Sequence, residues 1–358
     1  MKLVLTQEQR ELREAVRGFL AAASPLPAVR AAMESETGHD PAVYRRLGGE
    51  LGLCGLIIPE ECGGAGAGYA ELAVVLEETG AALLPGPFLA TTAAAIALTQ
   101  VQAPDKELLG GIAGGRVTAG FAPASGVTAD ALSGDGRAAL SGVVPQLING
   151  MDADVLLVEA AAAQGPVLVA VEAGGEGVTR EALTTLDPTR RQARVTFGGA
   201  TGRVLSEGDA AGLARARDLL AVAVAAEQLG VLRASLEAIV AYSGIRVAFN
   251  RVIGSYQGVK HRLADMHCKL EQAESIVRHA AWAADEDPAE LPVAAALAQV
   301  YVGRACFEVA RDSLLLHGGI GFTWEHDAHL FYKRAKADEL LLGPARTHRT
   351  RLADLLEL

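Results

Sequence analysis

The chain has 358 residues, 50% of them hydrophobic, enough for a large core and for two or three domains. Its formal net charge is -11 with no basic cluster, which argues against nucleic acid as the main partner while leaving room for a local basic funnel around an anionic coenzyme. Cys54, Cys62, Cys268 and Cys306 show no CxxC spacing and read as reduced thiols of a cytoplasmic protein.

Met1-Lys2-Leu3-Val4-Leu5-Thr6 runs straight into a charged helix, so no signal peptide is expected. Thr6 is placed to cap that helix, over 7–22, with Glu8 and Gln9 in its opening turn. A second helical run covers 41–51. A short apolar segment over 53–59 is closed by Pro59, and a glycine-rich turn over 63–68 follows. Two more helices span 69–79 and 88–100. From about Arg116 to Val204 the texture becomes short β-like runs, among them 143–148, 154–160, 166–171 and 193–197. Long helices return over 209–243, 255–284 and 288–317. Their Ala-rich runs are broken by Glu, Gln, Asp or Gly, and no stretch is expected to span a membrane. This order predicts an α+β multidomain protein. An N-terminal α-helical domain takes 1–110, a small central β-barrel 111–206 and a C-terminal four-helix bundle 207–358.

Three segments carry the chemistry. Ile58-Pro59-Glu60-Glu61-Cys62-Gly63-Gly64-Ala65-Gly66 fails the GxGxxG spacing and has no βαβ unit around it, so it reads as a flexible interhelical turn, not a dinucleotide site. Tyr242-Ser243-Gly244-Ile245-Arg246-Val247-Ala248-Phe249-Asn250 continues through Ile253-Gly254-Ser255-Tyr256-Gln257. Its Arg246 offers a planar, permanently charged fork suited to phosphate oxygens, with a carboxylate partner as the alternative. His317-Gly318-Gly319-Ile320-Gly321-Phe322-Thr323-Trp324-Glu325-His326 precedes the basic run Lys333-Arg334-Ala335-Lys336, read as a solvated face, and Leu342-Gly343.

Together with Glu77-Glu78-Thr79-Gly80, these segments resemble the acyl-CoA dehydrogenase family, over most of the chain and least in the middle. The family's patterns are PEEYGGxG, EExG, YxxxRxxFGxxIxxxQ and a Gly-rich turn followed by Glu-Gly. Cys62 stands at the aromatic position, Asn250 at a glycine and Leu342 at the glutamate. The resemblance implies FAD, an acyl-CoA substrate and electron-transferring flavoprotein as acceptor. It implies Arg246, Phe249, Tyr256, Gln257, Leu315, Gly318 and Gly319 as cofactor contacts, with Arg246 reaching the pyrophosphate of a neighbouring subunit's FAD.

In the family's reaction a carboxylate in an apolar pocket removes the α-proton of the thioester while the β-hydrogen leaves as hydride to the flavin. Its two known locations correspond to Leu342 and Leu220, and neither side chain can accept a proton. Glu227 lies two helical turns beyond Leu220, and Asp338 and Glu339 lie one turn before Leu342. These are the candidates for a displaced base, each with an ordinary ion-pair role as the alternative. The flavin-binding TExxxGSD stretch is represented by 118–127 without its Thr-Glu or Ser-Asp, and WITN by Gln146-Leu147-Ile148-Asn149. His326, Asp327 and His329 do not converge as ligands, so no metal is expected. A kept pyrophosphate motif with a lost base matches the shorter, base-lacking partner in the α2β2 acyl-CoA dehydrogenases of actinobacterial steroid degradation. A homo-oligomeric enzyme with a displaced carboxylate and a non-catalytic scaffold for acyl-CoA or a partner stand as alternatives.

Overall fold

The computed structural model describes residues 3–101, 104–130 and 136–358; Met1 and Lys2, from the expected charged start, lie outside the described residues. The first helices are α1 (Gln7–Ala23), α2 (Leu26–Glu34), α3 (Pro41–Gly49), α4 (Tyr69–Ala81), α5 (Phe88–Thr99) and α6 (Lys106–Ala113). Seven strands follow: β1 (Ala119–Ala122), β2 (Thr128–Ala129), β3 (Arg137–Ile148), β4 (Val155–Ala162), β5 (Gly165–Glu172), β6 (Val178–Leu183) and β7 (Gln192–Glu207). Then come α7 (Ala210–Ile245), the short strands β8 (Val247–Ala248) and β9 (Arg251–Val252), and α8 (Gln257–Glu286). The chain closes with α9 (Leu291–Leu316), α10 (Ala328–Leu341) and α11 (Ala345–Leu355). The expected helical–β–helical order is the one observed.

Two compact units result. One holds the residues up to Arg30, Tyr69–Leu84 and Ala221–Leu358; the other holds Ala31–Gly68 and Pro85–Leu220. In the second unit the strand pairing closes on itself: β4 pairs β5, β5 pairs β7, β7 pairs β3, β3 pairs β2, and β2 returns to β4 through Thr128 and Ala161. Leu140, Val158, Val169, Val195 and Phe197 fill the interior of this barrel. The glycine run at 63–68 is not a loose turn. Ala65, Gly66 and Ala67 donate to the carbonyls of Gly55, Ile58 and Leu56, and a Cβ on Gly64 would lie 2.0 Å from the Ile58 carbonyl oxygen.

In the first unit, a capping box opens α1: the Thr6 hydroxyl accepts from the Gln9 N–H at 3.2 Å and Gln9 Oε1 accepts from the Thr6 N–H at 3.0 Å. Helices α4 and α7 meet through reciprocal glycines. A Cβ on Gly80 would lie 2.1 Å from the Glu227 carbonyl oxygen, and one on Gly230 would lie 1.8 Å from that of Glu77. Beside this crossing the buried Glu77 carboxylate gathers Arg233 at 2.9 Å, Arg13 at 3.3 Å and Arg278. Helix α9 runs through the middle, packed on α8, α10 and α11.

Two expectations need correction. Helices α7 and α9 are long and apolar enough to cross a membrane by length and composition, and both bury most of that apolar length inside the protein. The basic run at 333–336 is not a solvated face, because Arg334 and Ala335 have no exposed surface. All four thiols are free, with Cys54, Cys62 and Cys306 buried and Cys268 exposed. Burial pushes the Cys54 thiol up to about 12 and lifts Cys306 well above the ordinary thiol value.

Candidate functional site

The segment after α7 is a two-residue hairpin. Val247 pairs with Val252 and Ala248 with Arg251. Phe249 and Asn250 at its tip both adopt left-handed backbone, with φ 49° and 69°, the arrangement of a type I′ turn. Asn is among the few side chains that tolerate this region, which explains its use where the family pattern has glycine. The hairpin is tied at its base, where Arg246 donates to the Tyr242 carbonyl at 2.9 Å and Ile253 to the Arg246 carbonyl at 2.8 Å.

Side chains here divide into braces and free groups. Tyr256 is a brace: its hydroxyl donates to the Ala248 carbonyl at 2.8 Å, and the Arg251 guanidinium lies 3.7 Å above its ring. Arg246 and Gln257 are exposed and have no side-chain hydrogen bond or ion pair among the described residues. Phe249 is 94% exposed.

The second part begins where α9 stops. Leu315 is exposed, and Gly318, at φ 68°, turns the chain into a short 3₁₀ segment, Gly318–Phe322. Neither Gly318 nor Gly319 has any atom within 4 Å of the place its Cβ would occupy, so the backbone of the turn is open to a ligand. Tyr242 and His317 stack with ring centroids 4.6 Å apart, which brings the last turns of α7 and α9 together. The set read from sequence therefore includes residues at one joined end of two helices, with Tyr256 at the start of α8 reaching back to the hairpin through its hydroxyl.

Sequence reasoning grouped His326 and His329 with Asp327, as a polar patch at the coenzyme side or an interface, and missed that His317 joins them. His317 lies against both Tyr242 and His326, the latter at 4.4 Å. Three histidines within 317–329 were the available signal. Asp327 binds Arg30 at 2.6 Å, and His326 Nδ1 accepts from the Ala328 N–H at 3.1 Å. No cluster of three or more His, Cys, Asp or Glu suited to a metal occurs among the described residues.

The two positions at which the resemblance places the base carry leucine. Leu220 is buried in α7, and Leu342 caps α10 half-buried. Glu227, nearly without exposure, lies 3.4 Å from the fully buried guanidinium of Arg334. Glu339 is held by Lys336 at 2.7 Å. Asp338 is buried on the same helix, where it and Glu227 add to burial in raising the Cys306 thiol. In the barrel unit the polar groups near the expected flavin stretch serve the fold. Thr118 donates to the Asp152 carbonyl at 2.8 Å, Ser125 to the Glu159 carbonyl at 2.8 Å, and Asn149 to Asp152 at 3.1 Å. The residues present thus fit part of a flavin site, the open turn and the free Arg246, and supply no carboxylate for proton abstraction at the two family positions.

Comparison with known proteins gives the family of the chain. The family model described as "Acyl-CoA dehydrogenase, C-terminal domain" matches residues 213–356, and that described as "Acyl-CoA dehydrogenase, N-terminal domain" matches 6–106. The acyl-CoA dehydrogenase IpdE2 of Mycolicibacterium smegmatis is 39% identical, over 97% of this chain and 98% of its own length. A variant of the Tcur3481-Tcur3483 steroid ACAD superposes with TM-score 0.91 at 30% identity, covering 98% of each chain. The ChsE4-ChsE5 complex of Mycobacterium tuberculosis gives TM-score 0.91 at 28% identity, over 100% of this chain and 99% of the matched one.

Proposed function

The chain belongs to the acyl-CoA dehydrogenase family of oxidoreductases acting on CH–CH bonds, and from that premise we propose that it is the flavin-contributing, base-lacking subunit of a heteromeric enzyme. The observation that carries this is a contrast within one unit. Arg246 stays free and the Gly318–Gly319 turn stays open, while Leu342 occupies the base position. Two of the similar structures bear names that pair two chains, which supports a related chain as partner.

When bound, FAD supplies the hydride acceptor for α,β-desaturation of an acyl-CoA thioester. Arg246 presents a two-pronged cation for pyrophosphate oxygens, a geometry that lysine does not reproduce. Gly318 and Gly319 leave the backbone uncovered so that a flat polar group can approach closely. Phe249 and Gln257 offer an apolar face and an amide beside it, and Leu315 adds apolar cover. Tyr256 holds the hairpin that carries Phe249. The α-proton is taken by a carboxylate of the partner. The same proposal divides the chain at 1–110, 111–206 and 207–358, the last part bearing the cofactor-facing residues. The steroid ACAD among the similar structures makes bulky alicyclic acyl-CoA thioesters the first substrates to try, with electron-transferring flavoprotein as acceptor and the cytoplasm as location.

The test is co-expression with a related, glutamate-bearing acyl-CoA dehydrogenase chain, followed by flavin absorbance per chain. Arg246→Ala is expected to strip flavin from the assembled complex, and Arg246→Lys to weaken its retention. Unchanged flavin content in Arg246→Ala overturns the proposal.

A further inference from the structure

We propose that His317 is a positioning residue for the Gly318–Gly319 turn, and that its clamp between Tyr242 and His326 makes this chain's hold on flavin fail on mild acidification. The inference rests on the flavin-facing role proposed above. His317 is buried and caps α9, with Nδ1 2.7 Å from the Ser313 carbonyl oxygen. A carbonyl only accepts, so Nδ1 carries the hydrogen and Nε2 the lone pair. The turn folds back on this ring: a Cβ at Gly321 would lie 2.7 Å from the Leu314 carbonyl oxygen and 3.0 Å from His317 Cβ. His326 Nδ1 accepts the Ala328 N–H, which leaves that nitrogen without a proton. His317 thus donates from Nδ1 and His326 accepts at Nδ1, with the two ring centroids 4.4 Å apart.

Charge on His317 is opposed from several sides. Tyr242 faces His317 from α7 without a charge to offer, and α9 contributes only the Ser313 carbonyl. Burial holds His317 below the ordinary histidine value, and His326 pushes in the same direction against that carbonyl. Beyond His326 stands His329, buried with neither ring nitrogen hydrogen-bonded among the described residues. Burial, Lys333 and Arg30 lower it too. Asp327, the nearby anion, is already bound to Arg30. A lowered folded value fixes the sign. The clamp is at full strength above the unfolded value of about 6.5 and is lost as pH falls through the folded one, because the unfolded segment takes up its proton first.

Two readouts test this on the full chain and on its flavin-loaded complex. His317→Phe keeps a stacked ring and removes the titration; His317→Ala removes both. Between pH 7.5 and 5, the wild-type complex is expected to release flavin severalfold faster at the acid end, as the lowered His317 value requires. His317→Phe is expected to give a flat profile, and His317→Ala fast release at every pH. In the chain without flavin, amide protection at 318–322, corrected for the intrinsic exchange rate at each pH, is expected to fall on acidification in wild type, to stay constant in His317→Phe and to be low throughout in His317→Ala. Equal pH profiles in wild type and His317→Phe, by both readouts, overturn the proposal. An acid-loosened turn in a complex that never holds flavin overturns the flavin reading alone and leaves the clamp standing.

Discussion

Glu227 shows how burial decides a carboxylate's role. Its partner Arg334 is wholly buried, so removing the negative charge weakens the compensation of a cation that cannot reach solvent. Glu227→Gln is expected to lower unfolding stability by about 1–3 kcal/mol, read from the urea midpoint. Replacing both residues, Glu227→Gln with Arg334→Met, should recover much of that loss. In the assembled enzyme Glu227→Gln should still show acyl-CoA-dependent flavin bleaching under conditions where it is folded; abolished bleaching would return Glu227 to the position of base. The pairing was invisible in sequence because 107 positions separate the two residues. Nor does a four-residue basic run say which of its cations faces inward; that depends on the phase of α10. Arg246, Gly318 and Gly319 were legible for the opposite reason, since each belongs to a short local pattern whose chemistry requires that residue type.

At the level of elements, the glycines at 80 and 230 set how closely α4 and α7 approach. Each stands where the other helix's carbonyl would strike a Cβ, and backbone cannot swing aside as a side chain can. Gly230→Ala is expected to cost about 1–3 kcal/mol by overpacking, measured by thermal or urea unfolding, with Gly80→Ala close behind. A neutral result would mean that the helices slide apart without loss. Helices with a clear cap and period were readable, α1 above all. The missed α2 begins at Leu26-Pro27 after Pro25, and prolines that look like breakers are tolerated in a first helical turn. Strands β1, β2 and β6 fall inside the stretch read as β-like but were not delimited individually. The first two are only four and two residues long, and β6 reads VTREAL with little alternation to reveal it.

For the molecule as a whole, the arrangement of exposed and missing groups predicts a cofactor balance. The chain expressed alone should carry well under one FAD per chain, and the co-expressed complex should carry tightly held flavin, by absorbance after size exclusion. A full complement in the isolated chain would mean that it assembles the site by itself. The barrel was foreseen from its run of short strands, but the order in which they pair was not, because strand order is a long-range property that turn spacing does not encode. The barrel's closure also has a weak joint. Between β3 and β7 the ladder runs from Arg137 to Ile148, whereas β2 meets β4 only at Thr128 and Ala161, with one flanking bond from the Ala161 N–H to the Val127 carbonyl. A hoop with one slender rivet opens at the rivet. Under gentle stress this unit should unzip there into a curved open sheet, exposing strand edges able to pair with another chain, well before its hydrophobic interior lets go.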